Sequence, residues 1–576
     1  MTEPRPTPRK AWAALAFVHL IVLAVLLSWV AAQTRPVPMP GLELAQDEKL
    51  RCVSYAPFHR PGQTPFDEKL IITRQQIEED LRALSPITDC VRIYSTDNGL
   101  DQVPGVAQEL GLNVLLGAWV GYDRKKNALE LERAITLANA YRDTVRAIIV
   151  GNEVLLRHEC TAAEMRTLLD SARAKSLVPV TYADVWEYWL KNSELAAHVD
   201  FVTVHILPFW EDDPVNIERA LAHVAETREK IGAAFPGKPI LIGETGWPSA
   251  GLQRGGSRPS KVAQARYIRE FVRRAHDSGW DYNLIEAIDQ PWKRSLEGTV
   301  GGYWGMLDAD TLQTKFPLSG PVSERKNSTA PLIGTGVGAI LALLLTLTGR
   351  IRTSTRQPIR LAALTLTGAA AGLVAVLHAE HAWLAYTTLT HCAALGTVAL
   401  AALGTCAALT RWPGHLLPAA DLAWQRIRTA GTRSGATDIL SALRGFILFA
   451  AAVAALLLFI DPRYRDFPSL LYLTPATIYG VIGWLRGTGF TRAERICAVL
   501  IAVCATGRWL FEPTNPQAIG WLLVCLALAL PVLVRRRHGG IGSQQAEKPQ
   551  QRPDGGVIGA VQHQPGHTSE PTDPSA

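Results

Sequence analysis

Residues 146–157 have the sequence RAIIVGNEVLLR, an apolar run that is interrupted by the polar pair Asn152-Glu153. The segment from Ala147 to Val150 has the composition of a buried β-strand. A carboxylate at the end of such a strand costs free energy to desolvate unless it is paired or neutralised. The place of this strand in the fold therefore decides whether Glu153 is a structural partner or a residue available for chemistry.

Strand-like and helix-like segments alternate from Arg51 to about Asp308. The strand-like runs span residues 52–57, 90–96, 113–120, 147–154, 179–186, 200–207, 239–247 and 282–292. Eight such runs, separated by segments of helical periodicity, predict an α/β fold, the (β/α)8 TIM barrel. A doubly wound open sheet is the alternative, although no Gly-rich phosphate-binding loop follows the first run.

Two carboxylates have the clearest placement for catalysis. Active sites of TIM barrels lie at the carboxyl ends of the strands. Glu153 lies at the end of the fourth run, after Gly151-Asn152, and Glu244 lies at the end of the apolar part of the seventh, directly after Gly243. Strands four and seven lie across the barrel mouth from each other, so both side chains can flank one bond. Paired carboxylates of this kind hydrolyse glycosidic bonds, one as acid and one as nucleophile or base.

Further residues near the ends of the runs are candidate substrate contacts. They are Asn152, Tyr55, Tyr94, Tyr182, His205, Trp247, Glu286 and Trp292. Aromatic rings can stack on the apolar faces of sugars. Structural alternatives stay open: the Trp residues can be core packing, His205 a satisfied core histidine, and Glu286 a partner of a barrel cation. Arg92 is interpreted in the same way, as an ion-pair partner within the barrel. No spacing is typical of a metal site, and we predict neither a metal nor a cofactor.

The remaining apolar sequence predicts a membrane part. Residues 12–32 are long enough to cross a bilayer, and a retained anchor is favoured over a cleaved signal peptide because the apolar stretch is long. Seven further spans are predicted at 331–349, 361–379, 384–410, 445–460, 468–485, 496–511 and 518–534. Ionisable residues are scarce within these spans, which favours an anchor and assembly platform over a transporter.

The arginines predict the orientation of these spans. The three loops predicted outside, at 378–382, 461–468 and 512–517, contain only Arg463 and Arg465. The loops predicted inside carry clusters of arginines, which fits the positive-inside rule. Both termini are therefore expected in the cytoplasm and the barrel outside it. This arrangement also accounts for the formal net charge of +6, so nucleic-acid binding is not expected.

Four regions follow from these patterns. They are a cytoplasmic N-terminus and transmembrane anchor (1–35), a TIM-barrel glycosidase domain (36–328), an all-α domain of seven transmembrane helices (329–535) and a disordered cytoplasmic tail (536–576). Cys52 and Cys90 each open a strand-like run, and they can form a disulfide if the barrel is exported. Free buried thiols are the alternative.

The segments VGNEVLLR (150–157) and LIGETGWPS (241–249) resemble the two catalytic signatures of glycoside hydrolase family 17, in clan A. Members of this family cleave or rearrange β-1,3-glucans on a TIM barrel, and the resemblance covers about residues 51–310. It implies that Glu153 is the general acid/base and Glu244 the nucleophile. It further implies that Asn152 binds the sugar 2-hydroxyl and that Trp292 is a stacking platform.

The multi-span C-terminal half is unlike secreted plant and fungal members and resembles bacterial membrane-bound ones. The resemblance thus implies a retaining hydrolase or transglycosylase that acts on β-1,3-glucan or its oligosaccharides from a bacterial inner membrane. The lipid bilayer is then a partner, and a glucan synthase or export partner is a further hypothesis. A catalytically silent glucan-binding sensor is the alternative. For an acid/base role, we expect the nearby charge of Glu244 to raise the pKa of Glu153.

Overall fold

The computed structural model describes residues 8–42, 49–348, 358–430, 435–486 and 488–534. The predicted disordered tail, 536–576, lies outside these residues, so that prediction remains untested.

Eight parallel strands close into a barrel in the order β1 to β8, with β1 paired to β8. Their bounds are β1 Val53–Ser54, β2 Cys90–Ile93, β3 Asn113–Ala118, β4 Val145–Asn152, β5 Val180–Val185, β6 Val202–His205, β7 Ile240–Thr245 and β8 Asp281–Leu284. This topology confirms the predicted TIM barrel and excludes the open sheet. The first and last predicted runs are longer than their strands. After β8 the backbone N–H of Glu286 donates to Trp304 O instead of to a neighbouring strand.

A helix follows each strand. The helices of the barrel are α2 Arg74–Leu84, α3 Val103–Glu109, α4 Arg124–Ala140, α5 Ala162–Lys175, α6 Trp186–Lys191, α7 Ile217–Ala234, α8 Lys261–Asp277 and α9 Arg294–Glu297. Several begin where a short polar side chain accepts from the first turn, as Thr73, Thr161 and Ser260 do, which satisfies otherwise unpaired N–H groups. The hydrophobic core lies between these helices and the strands.

A smaller apolar cluster lies on the inward face of the strands and includes Cys52, Cys90 and Leu115. Cys52 and Cys90 form a disulfide between β1 and β2. The alternative of two free thiols is therefore wrong for this structure, because the neighbouring strands bring both sulfurs together inside the barrel.

In the part of the chain that the structure describes, the helical part comprises α1, which precedes the barrel, and eight helices that follow it. Their bounds are α1 Pro8–Gln33, α10 Thr329–Thr348, α11 Pro358–Ala385, α12 Leu389–Thr410, α13 Ala420–Ala430, α14 Ala436–Ile460, α15 Ser469–Arg486, α16 Arg492–Phe511 and α17 Pro516–Val534. Helix α1 packs against α11 and α15. Helices α10 and α11 approach so closely that a Cβ at Gly338 would lie 2.1 Å from Gly368 O. Small residues permit such an approach in membrane helix pairs.

Within the described residues, six helices are long and apolar enough to cross a membrane: α1, α10, α11, α12, α14 and α17. Helices α15 and α16 occupy the other two predicted spans but do not meet this criterion. Helix α16 carries the charged residues Arg492, Glu494 and Arg508. The count of eight spans therefore stays a prediction, of which six have the expected composition.

The barrel contacts one end of this bundle. The three loops predicted outside each contact it, through Glu380 with Arg325, Asp466 with Thr299, and Asn515 with Gln253. These loops join successive helices at the same end of the bundle, so the barrel lies at the end that is poor in arginine.

Candidate active site

The predicted catalytic carboxylates lie together at the carboxyl ends of β4 and β7. Glu153 directly follows β4, and its backbone N–H donates to Ala183 O at 2.8 Å. Its φ of 53° is uncommon for a residue other than glycine. Glu244 lies within β7, and a carboxylate oxygen of each residue lies within 4.8 Å of the other.

His205, the last residue of β6, lies between the two carboxylates. Its Nδ1 is 3.0 Å from Glu153 Oε1, and its Nε2 is 3.7 Å from Glu244 Oε1. The imidazole is fully buried, whereas 22% of the Glu153 side chain is exposed. His205 was predicted as a substrate contact, and the structure places its ring beside both Glu153 and Glu244.

Arg92 joins three strands at the bottom of this site. Its Nη1 donates to Gly243 O at 2.7 Å and to Glu244 Oε1 at 3.3 Å, and its Nη2 donates to Asn152 Oδ1 at 2.5 Å. The interpretation of Arg92 as an ion-pair partner within the barrel is correct, and its partner is the catalytic candidate Glu244. The sequence feature that could have indicated this role is the position of Arg92 in the second strand-like run, two residues before Tyr94.

Tyr94 supplies the second donor to Glu244. Its hydroxyl lies 2.8 Å from both Glu244 Oε1 and Ser54 Oγ. Burial, followed by the charge of Glu244, raises the pKa of Tyr94 well above its ordinary value. The phenol therefore keeps its proton and, with Arg92, presents hydrogen-bond donors to the carboxylate of Glu244.

The pKa of Glu153 is lowered from its ordinary value. Burial raises it, but the hydrogen bond and charge of His205, together with the charges of Arg157 and Arg92, lower it by more. The expectation of a raised pKa is therefore wrong. The sequence could not show that His205, Arg157 and Arg92 would lie beside Glu153 and outweigh the effect of its burial.

Three predicted substrate contacts lie in the core instead. The hydroxyl of Tyr55 donates to Asp80 Oδ2 at 2.8 Å, and that of Tyr182 donates to Asp184. The indole of Trp247 is fully buried and donates to Arg258 O at 3.0 Å. Tyr55 and Trp247 contact residues of the helical layer or its loops, so the structure does not bring these two rings to the carboxylate pair. The hydroxyl of Tyr182 accepts from the backbone N–H of Leu155, two residues after Glu153, at 3.0 Å.

The segment after β8 brings other residues to the cleft. Glu286 accepts from Lys293 Nζ at 2.8 Å, and burial raises its pKa to about 7. Its second oxygen, Oε1, is buried and lacks a protein partner among the described residues. Trp292 is half-buried, and its ring lies 5.6 Å from that of the exposed Phe66.

Lys293 and Glu297 were not predicted. Burial raises the pKa of Glu297, the charge of Lys293 lowers it, and the charges of Glu153 and Glu244 raise it. Both residues lie beyond the last strand-like run, in a loop whose path has no periodic signal in the sequence.

Glu153, His205 and Glu244 have ligand atoms close enough to hold a metal ion. However, Arg92 Nη1 lies 3.4 Å from His205 Nε2 and 3.3 Å from Glu244 Oε1. The guanidinium already supplies a positive charge at this point, and His205 Nδ1 is engaged with Glu153. The arrangement suits proton transfer and nucleophilic attack without a metal.

The barrel is similar in sequence to known glycoside hydrolase domains. Residues 52–305 match the family model of the BtgE/BtgC glycoside hydrolase domain. Glu153 and Glu244 both lie within this BtgE/BtgC match, and the predicted class of glycoside hydrolase agrees with it.

Two curated relatives match the barrel region. A probable β-glucosidase btgE of Neosartorya fischeri is 29% identical over 38% of this chain and 40% of its own length. A probable glucan endo-1,3-β-glucosidase btgC of Aspergillus terreus is 25% identical over 43% of this chain and 42% of its own length. The chain thus spans about two fifths of the length of these curated relatives.

Among solved structures, similarity extends to a Rhizomucor miehei β-1,3-glucanosyltransferase, an active-site mutant in complex with laminaritriose. It is 23% identical, with a TM-score of 0.41 over 48% of this chain and 98% of the other.

Proposed function

We propose that the barrel is a retaining glycoside hydrolase or transglycosylase with β-1,3-glucan as its substrate. The proposal rests on two carboxylates at the barrel mouth, Glu153 and Glu244, which have different hydrogen-bond partners. A carboxylate oxygen of one lies within 4.8 Å of a carboxylate oxygen of the other. Retaining enzymes separate their carboxyl groups by about 5–5.5 Å, whereas inverting enzymes separate them by about 6.5–9.5 Å. The close spacing favours a covalent intermediate.

In this mechanism Glu244, held by Arg92 and Tyr94, attacks the anomeric carbon. Glu153 donates its proton to the departing glycosidic oxygen as that bond breaks. The resulting ester neutralises Glu244, and Glu153, now a carboxylate, removes a proton from the acceptor. The acceptor oxygen then attacks the anomeric carbon and releases Glu244. Water as acceptor gives hydrolysis, and a sugar hydroxyl gives transfer.

Asn152 is a proposed ligand of the sugar 2-hydroxyl. Arginine has donors only, so the oxygen of the Asn152 amide faces Arg92. Its Nδ2 donor is then available for a hydroxyl beside the anomeric carbon. The second oxygen of Glu286 offers an acceptor for a sugar hydroxyl in the same way, and the half-buried ring of Trp292 offers a stacking surface.

The choice of β-1,3-glucan is supported by the printed activity of the btgC relative, an endo-1,3-β-glucosidase, and by the two signature segments. These observations do not favour the silent sensor, because both carboxylates and their donors are in place.

We further propose that the protein is a multi-pass protein of a bacterial inner membrane, with both termini in the cytoplasm. Six suitably apolar helices support the membrane location. The contact of the barrel with the three arginine-poor loops supports its placement outside. The packing of α1 against α11 and α15 supports a retained anchor. The proposal includes the domain limits 1–35, 36–328 and 329–535.

The test is an assay of the full chain in detergent on a β-1,3-linked glucose oligosaccharide, with the products identified by mass spectrometry. Shorter products indicate hydrolysis, and products longer than the donor indicate transfer. Glu244→Ala and Glu153→Ala should each abolish turnover while the protein stays folded. Near wild-type activity in either variant, or binding without any product, would overturn the proposal.

A further inference from the structure

The loop after β8, residues 291–303, lies between the catalytic cleft and the helical bundle. On the cleft side it carries Trp292, Lys293 and Glu297, and Lys293 Nζ donates to Glu286 at 2.8 Å. Its regular structure consists of single helical turns, Pro291–Lys293, α9 and Thr299–Gly302. Such short helices are not stable by themselves, so other contacts must hold the loop.

The bundle supplies hydrogen bonds to this loop. Arg294 Nη1 donates to Leu384 O at 2.8 Å, and the hydroxyl of Tyr303 donates to the same oxygen at 3.1 Å. The hydroxyl of Thr299 donates to a carboxylate oxygen of Asp466. The last turn of α11 and the arginine-poor loop 461–468 therefore hold the β8 loop at three points.

Close backbone packing adds to these bonds. Gly298 has a φ of 71°, and a Cβ there would lie 2.3 Å from Tyr464 O. Only glycine lets the β8 loop approach the bundle so closely. The fit is therefore specific to this sequence and does not depend on long surface side chains alone.

The neighbouring barrel loops contact the bundle on the same side. The ring of Trp210, after β6, lies 6.2 Å from that of Tyr464. Asn515 Nδ2 donates to Gln253 O, after β7, at 3.0 Å. Loops after strands β6, β7 and β8 lie at the catalytic face of the barrel, so the bundle lies against the rim of the cleft.

We propose that the helical bundle is a structural component of the active site, in which Asp466 and the backbone of Leu384 position the loop 291–303 for glucan binding. Asp466 is a positioning residue that acts through Thr299, and Arg294 is one that acts within the loop itself. The inference rests on the proposed function and deepens it. It gives the membrane part a role in substrate affinity beyond anchoring the barrel.

The test uses the full chain in detergent and three variants of the bundle. Asp466→Ala removes the acceptor of Thr299, and Asp466→Asn keeps an acceptor while it removes the charge beside His381. Glu380→Gln is the matched control, since the Arg325–Glu380 pair also joins barrel and bundle, at 2.7 Å, but not through the β8 loop.

Two readouts are measured: hydrogen exchange of the peptide 291–303, and KM and kcat for β-1,3-linked glucose tri- and hexasaccharides. In Asp466→Ala we expect faster exchange confined to this peptide and a KM for the hexasaccharide raised about tenfold, with a smaller change in kcat. Asp466→Asn should restore most of the wild-type behaviour. The Glu380→Gln variant should match the wild type.

Unchanged exchange and KM in Asp466→Ala would overturn the inference, as would an equal fall in kcat for both substrates with no change in KM. An Arg294→Ala variant gives a second test of the loop from its own side, with the same expected rise in exchange and KM. A wild-type protein that is inactive on both saccharides would overturn the proposed function, and the exchange measurement would still decide whether the bundle holds the loop.

Discussion

The Nδ1 atom of His205 lies 3.0 Å from Oε1 of Glu153. The same imidazole places its Nε2 3.7 Å from Glu244 Oε1. One fully buried ring therefore adjoins both proposed catalytic groups. Burial raises the pKa of Glu153, but the hydrogen bond and charge of His205 are the largest influences that lower it. His205 is thus a residue through which the proton affinity of the acid/base can be altered.

We expect His205→Phe to raise the pKa of Glu153, because it removes the hydrogen bond and the charge while keeping a ring of similar size. A general acid must be protonated, so its pKa sets the basic limb of kcat/KM against pH. This limb should therefore move to higher pH. His205→Asn keeps a donor and should move it less.

The matched control for this pH profile is His198→Asn. His198 also contacts a carboxylate, with its Nδ1 2.7 Å from Asp170 Oδ1, but on the surface of the barrel. Its profile should match that of the wild type. A basic limb that stays in place or moves to lower pH in His205→Phe would contradict the assigned cause.

Tyr94→Phe should lower kcat by about tenfold to a hundredfold, because it removes one of the two strong donors to Glu244. The fold should be retained, since the ring stays and only the hydroxyl is lost. The comparison is Tyr55→Phe, which removes a fully buried hydroxyl from Asp80. That variant should lose about 1 kcal/mol of unfolding free energy and keep its kcat. Equal losses of kcat in both variants would contradict the placement of Tyr94 at the site.

The Cys52–Cys90 disulfide should stabilise the barrel. It closes a separation of 38 residues, for which chain entropy predicts about 3–4 kcal/mol of unfolding free energy. A Cys52→Ala/Cys90→Ala protein should therefore unfold at a lower denaturant concentration. Protein denatured without reductant should resist alkylation at both positions. Alkylation of both without reductant would contradict an exported, oxidised barrel.

The order of strands and the catalytic pair could be predicted because both leave short-range signals. Eight apolar runs with intervening helices predict the barrel, and a glycine followed closely by a glutamate at the end of two of them marks Glu153 and Glu244. Strand direction then brings their side chains to one mouth without further information. The membrane spans likewise leave signals of length and apolarity, although α16 shows that buried charge can obscure one.

The parts that could not be predicted depend on which way a side chain points and on contacts distant in sequence. Tyr55 and Trp247 lie near the ends of strand-like runs as Tyr94 does, but they point towards helices and their loops, where Asp80 and the backbone oxygen of Arg258 accept their hydrogen bonds. The roles of Lys293 and Glu297 depend on a loop held by residues about 90 and 170 positions away, which no local pattern encodes.

The assignment of Glu244 as the nucleophile is tested most directly by identifying the residue that carries the glycosyl group in the covalent intermediate. The full chain is treated with a 2-deoxy-2-fluoro-glucosyl fluoride, extended by a β-1,3-linked glucose, whose slow turnover lets the intermediate accumulate. Peptide mapping by mass spectrometry should find one added glycosyl unit on Glu244 and none in Glu244→Ala. A label on Glu153, or release of α-configured product from a natural oligosaccharide with no label on Glu244, would contradict the account.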